Sequence, residues 1–292
     1  MSKRRLIRWV SVSCCSLLAP LAALGGDLNP PAGPVVETMK TLDEVEPRIP
    51  IHQVDVPFSI TIPGSYYLAE NLSFPLATSG LMISVDASDV TIDLNGFTID
   101  GQDAEGDAFN VFGISVGFGQ SDILIRNGAI TRVTFGVSAQ SSQRINVEDL
   151  CVRPIDIGTG ILMSNNGTAS DCEVIGGTLG FDMTVASNFV LLDCVVREVS
   201  DACYEFSFNN NGHVERCVAI GGVYGFRLDA SADDLVFIDC VSNSNSIGFS
   251  DLSGQSNFFY RNIAVRNNIA YQNVANTSAT PGTAGPWDNI SQ

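Results

Sequence analysis

The chain has 292 residues, with 15 Lys and Arg against 32 Asp and Glu and a formal net charge of −17. Phosphate backbones and anionic headgroups are repelled by such a chain, which excludes nucleic acid and anionic membrane surfaces as partners. Length alone would suit one or two globular domains, whereas a repeat array of this size would be one continuous unit.

In chain order, residues 1–26 carry Lys3, Arg4, Arg5 and Arg8, then an apolar stretch to Leu24, then Gly25 and Gly26. This is the pattern of a secretory signal peptide. The apolar run contains Pro20 and is shorter than the roughly 20 residues that span a bilayer, so membrane insertion is not expected. The mature chain is expected to begin near Gly26 or Asp27 and to be exported, either to the periplasm or to the outside and cell surface. Removing the segment takes four of the 15 basic residues and none of the acidic ones, leaving −21. Lys40 is then the only lysine.

Residues 27–54 read as a Pro-rich lead (Pro30, Pro31, Pro34) and an N-terminal cap. A short helical stretch is expected there, with Thr41 to Glu44 as its capping box and Met39, Leu42 and Val45 placed to cover the first repeat. Ile60 to Leu68 read as a strand containing a Pro63-Gly64 turn. Residues 55–275 are the repeat domain, and 276–292, with Pro281, Gly282, Gly285, Pro286 and Trp287, read as a flexible tail.

The repeat is marked by Asn127, Asp149, Asp171, Asp193, Arg216, Asp239 and Asn262, at spacings of 22, 22, 22, 23, 23 and 23. Two residues before each stand Ile125, Val147, Ala169, Leu191, Val214, Phe237 and Tyr260. A second marker is Gly followed by a large apolar residue, at Gly113-Ile114, Gly136-Val137, Gly160-Ile161, Gly180-Phe181, Gly225-Phe226 and Gly248-Phe249, with Cys203-Tyr204 in the remaining slot. Short alternating β runs broken by Gly, Asn, Ser and Asp favour a β-solenoid over a leucine-rich horseshoe, whose Leu-x-x-Leu-x-Leu frame is missing. The expected fold is all-β, a right-handed parallel β-helix of about eight to ten coils stacked at about 4.8 Å.

The run Ala87-Ser88-Asp89-Val90-Thr91-Ile92-Asp93-Leu94-Asn95-Gly96-Phe97-Thr98-Ile99-Asp100-Gly101, with Ile123-Leu124-Ile125-Arg126-Asn127-Gly128-Ala129-Ile130, resembles the first coils of bacterial secreted right-handed β-helix proteins of the pectin-lyase-like superfamily. The resemblance covers roughly residues 55–273. It implies the fold but not one activity, because the superfamily holds polysaccharide lyases, hydrolases and epimerases beside non-catalytic adhesins and tail-fibre proteins.

Six cysteines follow the signal segment: Cys151, Cys172, Cys194, Cys203, Cys217 and Cys240. Cys172, Cys194, Cys217 and Cys240 share one repeat position. In-register neighbours about 4.8 Å apart do not suit a disulfide, which wants Cβ atoms about 3.8 Å apart, and a straight row does not suit tetrahedral metal binding. They are expected to be buried free thiols.

Asp149, Asp171 and Asp193 could flank a calcium ion, but Asn127 and Asn262 in the same row favour a left-handed bend. The acidic loop at Asp100, Asp103, Glu105 and Asp107 is the other cation candidate. Its ligands would be Asp103, Glu105 and Asp107, though it lacks the order of a calcium loop and also reads as a solvated insertion. No other cofactor is expected.

The paired acidic, Gly-His-Gly and Arg-Ile-Lys motifs of the polygalacturonase-like branch are missing, and Asp233-Asp234 and Arg153-Pro154 are poor substitutes for superfamily motifs. His213, Glu215 and Arg216 are the catalytic candidates, a base beside a cation on one coil, against the alternative of ordinary exposed polar side chains. Two functions are therefore carried forward: a non-catalytic scaffold binding glycans or proteins at the cell surface, and a divergent polysaccharide lyase, hydrolase or epimerase. If Phe189, Leu191, Leu235, Phe237, Phe258 and Tyr260 point inward, alternation turns Val190, Leu192, Val236, Ile238 and Phe259 outward. That apolar face is expected to meet a second copy or to be covered by the tail through Trp287.

Overall fold

In a computed structural model the described residues are 47–74, 79–102, 110–229, 231–274, 277–278 and 289–291. Contacts divide the chain into 1–45 and 46–292, and the first unit lies outside the described residues, as do Met39, Leu42, Val45 and Trp287. The second unit is a parallel β-helix of about nine turns. Its strands fall into a 19-stranded sheet A and a ten-stranded sheet B, and every strand pairing is parallel.

The two sheets follow from the two sequence markers. In most coils sheet A takes two short strands, such as Val190–Leu192 and Val195–Arg197, and sheet B takes one, such as Ala202–Phe206. The joint between the two sheet A strands is the first marker. Asn127, Asp149, Asp171, Asp193, Arg216 and Asp239 all have φ between 51° and 61°, the left-handed bend that Asn and Asp tolerate best. The second marker begins sheet B rungs. A Cβ at Gly136 would overlap the Gly160 carbonyl oxygen and the Val152 side chain, so the coils close there only around glycine.

Each strand buries one side. Ile125, Val147, Ala169, Leu191, Val214 and Phe237 are buried on consecutive rungs of sheet A. On sheet B, Phe181, Tyr204, Phe226, Phe249 and Tyr271 stack face to face with centroids 4.7–5.4 Å apart. Such pairs add about 0.5–1.5 kcal/mol each beyond the burial of their area. The buried Tyr204 hydroxyl donates to the Cys194 carbonyl at 2.8 Å. Cys172, Cys194, Cys217 and Cys240 form the expected column of free, buried thiols.

Two expectations are corrected. Ile60 to Leu68 is not one strand: Phe58–Ile60 lies in sheet B and Gly64–Leu68 in sheet A, because the chain turns a corner of the coil at residues 61–63. More consequentially, the marker in the last full coil is Arg261 (φ 54°), not Asn262. Val236, Phe237 and Ile238 pair with Phe258, Phe259 and Tyr260, a step of 22 rather than 23. A one-residue slip exchanges the two faces. Phe259 is therefore buried, stacking on Phe237 at 4.8 Å, while Phe258 and Tyr260 point outward. Arginine takes the bend because its Nε donates to Asp239 at 2.7 Å from the next coil. Asn262 instead continues the thiol column inside, its amide donating to the Phe237 carbonyl at 3.0 Å.

Residues 277–278 and 289–291 add two short strands to sheet A, and Ile290 pairs with Ile263.

Candidate functional site

His213, Glu215 and Arg216 do come together. His213 and Glu215 point outward from the strand His213–Glu215, with Nε2 and Oε2 3.0 Å apart, and Arg216 occupies the bend that follows. The Arg216 guanidinium is fully engaged on its own surface: it donates to Glu215 and, through Nε and Nη2 at 2.7 Å each, to Asp193 one coil back. That hydrogen bond holds the Asp193 carboxyl below the usual aspartate range. The same arrangement recurs at Asp122–Arg144, where the carboxyl is pulled down to about 2 by its hydrogen bonds to Arg144 and Ser121, and at Asp239–Arg261. These pairs fasten successive bends to one another. In the bend row Asp193 and Asp239 are thus tied by arginines, while Asp149 and Asp171 hold the same left-handed bend. Of the cation candidates, Asp103, Glu105 and Asp107 lie outside the described residues, and Asp100 is paired with Arg132.

Around His213 and Glu215 the outer face of sheet A changes along the axis. Earlier rungs carry Thr91 and Asp93, then Leu124 and Arg126, Asn146 and Glu148, and Thr168 and Ser170, with Leu124 their one apolar residue; later ones present Val190 and Leu192, Val236 and Ile238, and Phe258 and Tyr260. Beyond the bend a second row, Val195, Val218, Val241 and Ile263, is also half-buried and apolar. The sequence reading missed it, although the valine one place after three of the ladder cysteines was its signal.

A second feature lies where the chain passes from sheet B back to sheet A. Val185, Phe208, Ser231 and Gly254 recur every 23 residues there, and all have left-handed backbones, φ 67°, 56°, 61° and 68°. Glycine adopts this conformation freely, whereas other side chains give up of order 1–2 kcal/mol to hold it. Phe208 does so while 56% exposed. Beside it a recess is lined by Phe208, Asn210, Ser231, Asp233 and Gln255. Gln255 also borders a second recess of about 340 Å³, formed by Asp251, Ser256, Asn257, Phe258, Phe259, Tyr260 and Asn273. The Phe258 and Tyr260 rings stand parallel within it, 6.4 Å apart. Asp251 accepts hydrogen bonds from Ser253 and Asn257, which fix the wall. The two recesses, lined by aromatic and amide side chains, share Gln255. Neither was legible in the sequence.

Sheet B carries the third feature. Asp182, Glu205 and Arg227 stand on successive rungs of its outer side. Arg227 donates to Glu205, to both oxygens of Asp201 at 2.9 and 3.0 Å, and lies 3.3 Å from Asp229, with its guanidinium 4.8 Å from the Tyr224 ring centroid. Three carboxylates thus share one cation. Burial pushes the Glu205 carboxyl up to about 7, against the pull of Arg227 and with a further push from Asp229. Ser207 donates to its other oxygen at 3.2 Å. The result is a carboxyl that holds its proton near neutrality.

Residues 87–288 match the family described as periplasmic copper-binding protein (NosD). No curated protein matches the chain. Among solved structures, the crystal structure of alginate lyase from Paenibacillus sp. str. FPU-7 is similar with 15% identity and a TM-score of 0.55, covering 84% of this chain and 97% of that one. The Dettilon tailspike protein (gp208) is similar at 10% identity and a TM-score of 0.41, over 84% of this chain and 60% of that one. At 15% identity the likeness to the alginate lyase is one of fold. No helix among the described residues is long and apolar enough to cross a membrane. The match spans more than half of the sequence, and the chain belongs to the NosD family of periplasmic β-helix proteins.

Proposed function

We propose that this protein is a non-catalytic periplasmic scaffold that binds a saccharide chain in the two recesses at Phe208 and Tyr260. The supporting observation is Phe208, a large apolar side chain held exposed on a strained left-handed backbone beside Asn210, Asp233 and Gln255. Strain of this kind persists where the surrounding fold enforces it and clusters at ligand sites. Aromatic surface flanked by amides and a carboxylate matches a sugar's apolar ring faces and its hydroxyls. No cofactor belongs to this reading.

The charge favours a neutral saccharide. The recesses contribute Asp233 and Asp251 and no arginine. A chain of net charge −17 offers an acidic polymer little attraction without a local basic site. Titrating the purified protein with neutral and acidic oligosaccharides by calorimetry tests this. Binding of neutral sugars that Phe208→Ala weakens is the expected result; no binding by either class sinks the reading.

A second reading, a divergent polysaccharide lyase, hydrolase or epimerase, draws on the Asp182 and Glu205 rungs. A carboxyl holding its proton near neutrality beside a second acid is the pairing that general acid catalysis at a glycosidic bond uses. Under it His213, Glu215 and Arg216 remain the other candidate group. New reducing ends, unsaturated products or epimerised sugars after incubation with polysaccharides would favour this reading over the scaffold. Self-association is proposed through Val190, Leu192, Val236 and Ile238; Phe259, first placed with them, is buried.

A further inference from the structure

We infer that the β-helix of this chain has no copper site, although the family it belongs to is described as copper-binding. Copper prefers imidazole, thiolate and thioether donors. The whole sequence has two histidines, eight cysteines and five methionines. Met1, Cys14, Cys15 and Met39 lie in the first 46 residues, three of them within the expected signal peptide. Every other soft donor is among the described residues.

The imidazoles cannot meet. His52 follows the strand Ile49–Ile51, and His213 lies seven rungs further along sheet A, roughly 30 Å away at about 4.8 Å per rung. Each has a carboxylate neighbour, Glu70 and Glu215 respectively, but among the described residues no group of three or more His, Cys, Asp or Glu could hold a metal ion. Met82, Met163 and Met183 are fully buried in the core.

The thiol column is the strongest rival, because two stacked sulfurs could flank a linear Cu(I). Its hydrogen bonds argue otherwise. Cys172, Cys194 and Cys240 each set Sγ between two carbonyls, that of Ser170, Leu192 or Ile238 in their own coil at 3.2–3.4 Å and that of Val147, Ala169 or Val214 in the preceding coil at 3.5–3.6 Å. The next two coils place Asn262 and Asn289 in this same position, and their amides donate to the corresponding carbonyls of Phe237 and Phe259 at 3.0 Å. Both oxygens beside each thiol are acceptors, so the sulfur makes either bond only while it keeps its proton. A copper ligand must lose that proton. Hydrogen bonding to Cys194 together with burial pushes the Cys172 thiol up, and burial does the same first at Cys217. Cys203 is buried and pushed up to about 12. Cys151 alone is half-exposed, and its carboxylate neighbour Glu173 is paired with Arg197.

The test uses the full mature chain, purified without oxygen. It is loaded with Cu(I) and challenged with the chromogenic chelator bathocuproine disulfonate, and separately loaded with Cu(II) and examined by electron paramagnetic resonance. After desalting, elemental analysis should find well under one copper per chain, with an unchanged ultraviolet spectrum. The Cu(II) signal should be that of the aqueous ion. Copper retained near one per chain against the chelator, or a Cu(II) signal with nitrogen splitting, overturns the inference. Loss of that copper in His52→Ala/His213→Ala would locate it on imidazole, and loss in Cys151→Ser on the outer thiol. Saccharide binding is read in separate titrations without metal, so failure of either reading leaves the other standing.

Discussion

On the outer side of sheet A, Arg216 binds Asp193 and Glu215; on that of sheet B, half a coil further along the chain, Arg227 binds Glu205 and Asp201. The residue types are the same and the outcome is opposite. At the exposed bend the guanidinium wins, and Asp193 is held below its ordinary range. On sheet B the Glu205 side chain is only 8% exposed, burial wins, and the carboxyl is pushed up to about 7 despite a guanidinium in direct contact. Burial also weakens screening, so the inner cluster should matter to stability and the outer one hardly at all.

The largest expected effect follows from removing each arginine. Arg227→Ala leaves three carboxylates without their cation and should lower stability by about 2–3 kcal/mol, part of the usual loss being offset because Glu205 can stay protonated. Arg216→Ala should leave the melting temperature unchanged. Equal losses from the two variants would break the comparison.

The pH dependence should differ in sign. Glu205 binds its proton more tightly in the folded chain than in the unfolded one, so between the ordinary glutamate range and about 7 stability falls as pH rises. After discounting for partial screening the span is about 2 kcal/mol, and Glu205→Gln should flatten it. Asp122, Asp193 and Asp239 act the other way. Their carboxyls are held low, so their contribution is complete at neutral pH and is lost only as pH falls toward about 2. Urea melts from pH 3 to 8 separate the two arms.

The Phe208 recess supplies a smaller effect. Phe208→Gly should raise stability by roughly 1 kcal/mol, because glycine adopts φ 56° without strain, and should abolish saccharide binding. A variant that is less stable, or that binds as before, would count against a ligand role for this residue. Val236→Asp with Ile238→Asp should leave a folded protein of smaller mass by light scattering if copies meet on sheet A. The smallest perturbation is chemical: the four column thiols should resist alkylation until the chain is denatured. A disulfide between Cys172 and Cys194 under non-reducing mass spectrometry would contradict their register.

Much of the β-helix was legible because one coil contacts only its neighbours, so each structural demand recurs as a sequence period. The left-handed bend repeats as Asn, Asp or Arg, the close approach of coils as Gly, and the core position as Cys. The slip at Asn262 has the same origin. Asparagine suits both a left-handed bend and a buried amide ladder, and the adjacent Arg261 was not an obvious bend residue until its partner Asp239 lay across the coil boundary.

By itself, then, the sequence determined the fold class, the coil length, the inward column of thiols and the lateral position of His213, Glu215 and Arg216. Which carboxyl keeps its proton was decided only by the tertiary structure, since Glu205 and Glu215 have the same chemistry and differ in what covers them. The Phe208 recess too exists only in three dimensions. Val185, Phe208, Ser231 and Gly254 share no residue type, and what unites them is a backbone angle imposed by the turn from sheet B to sheet A.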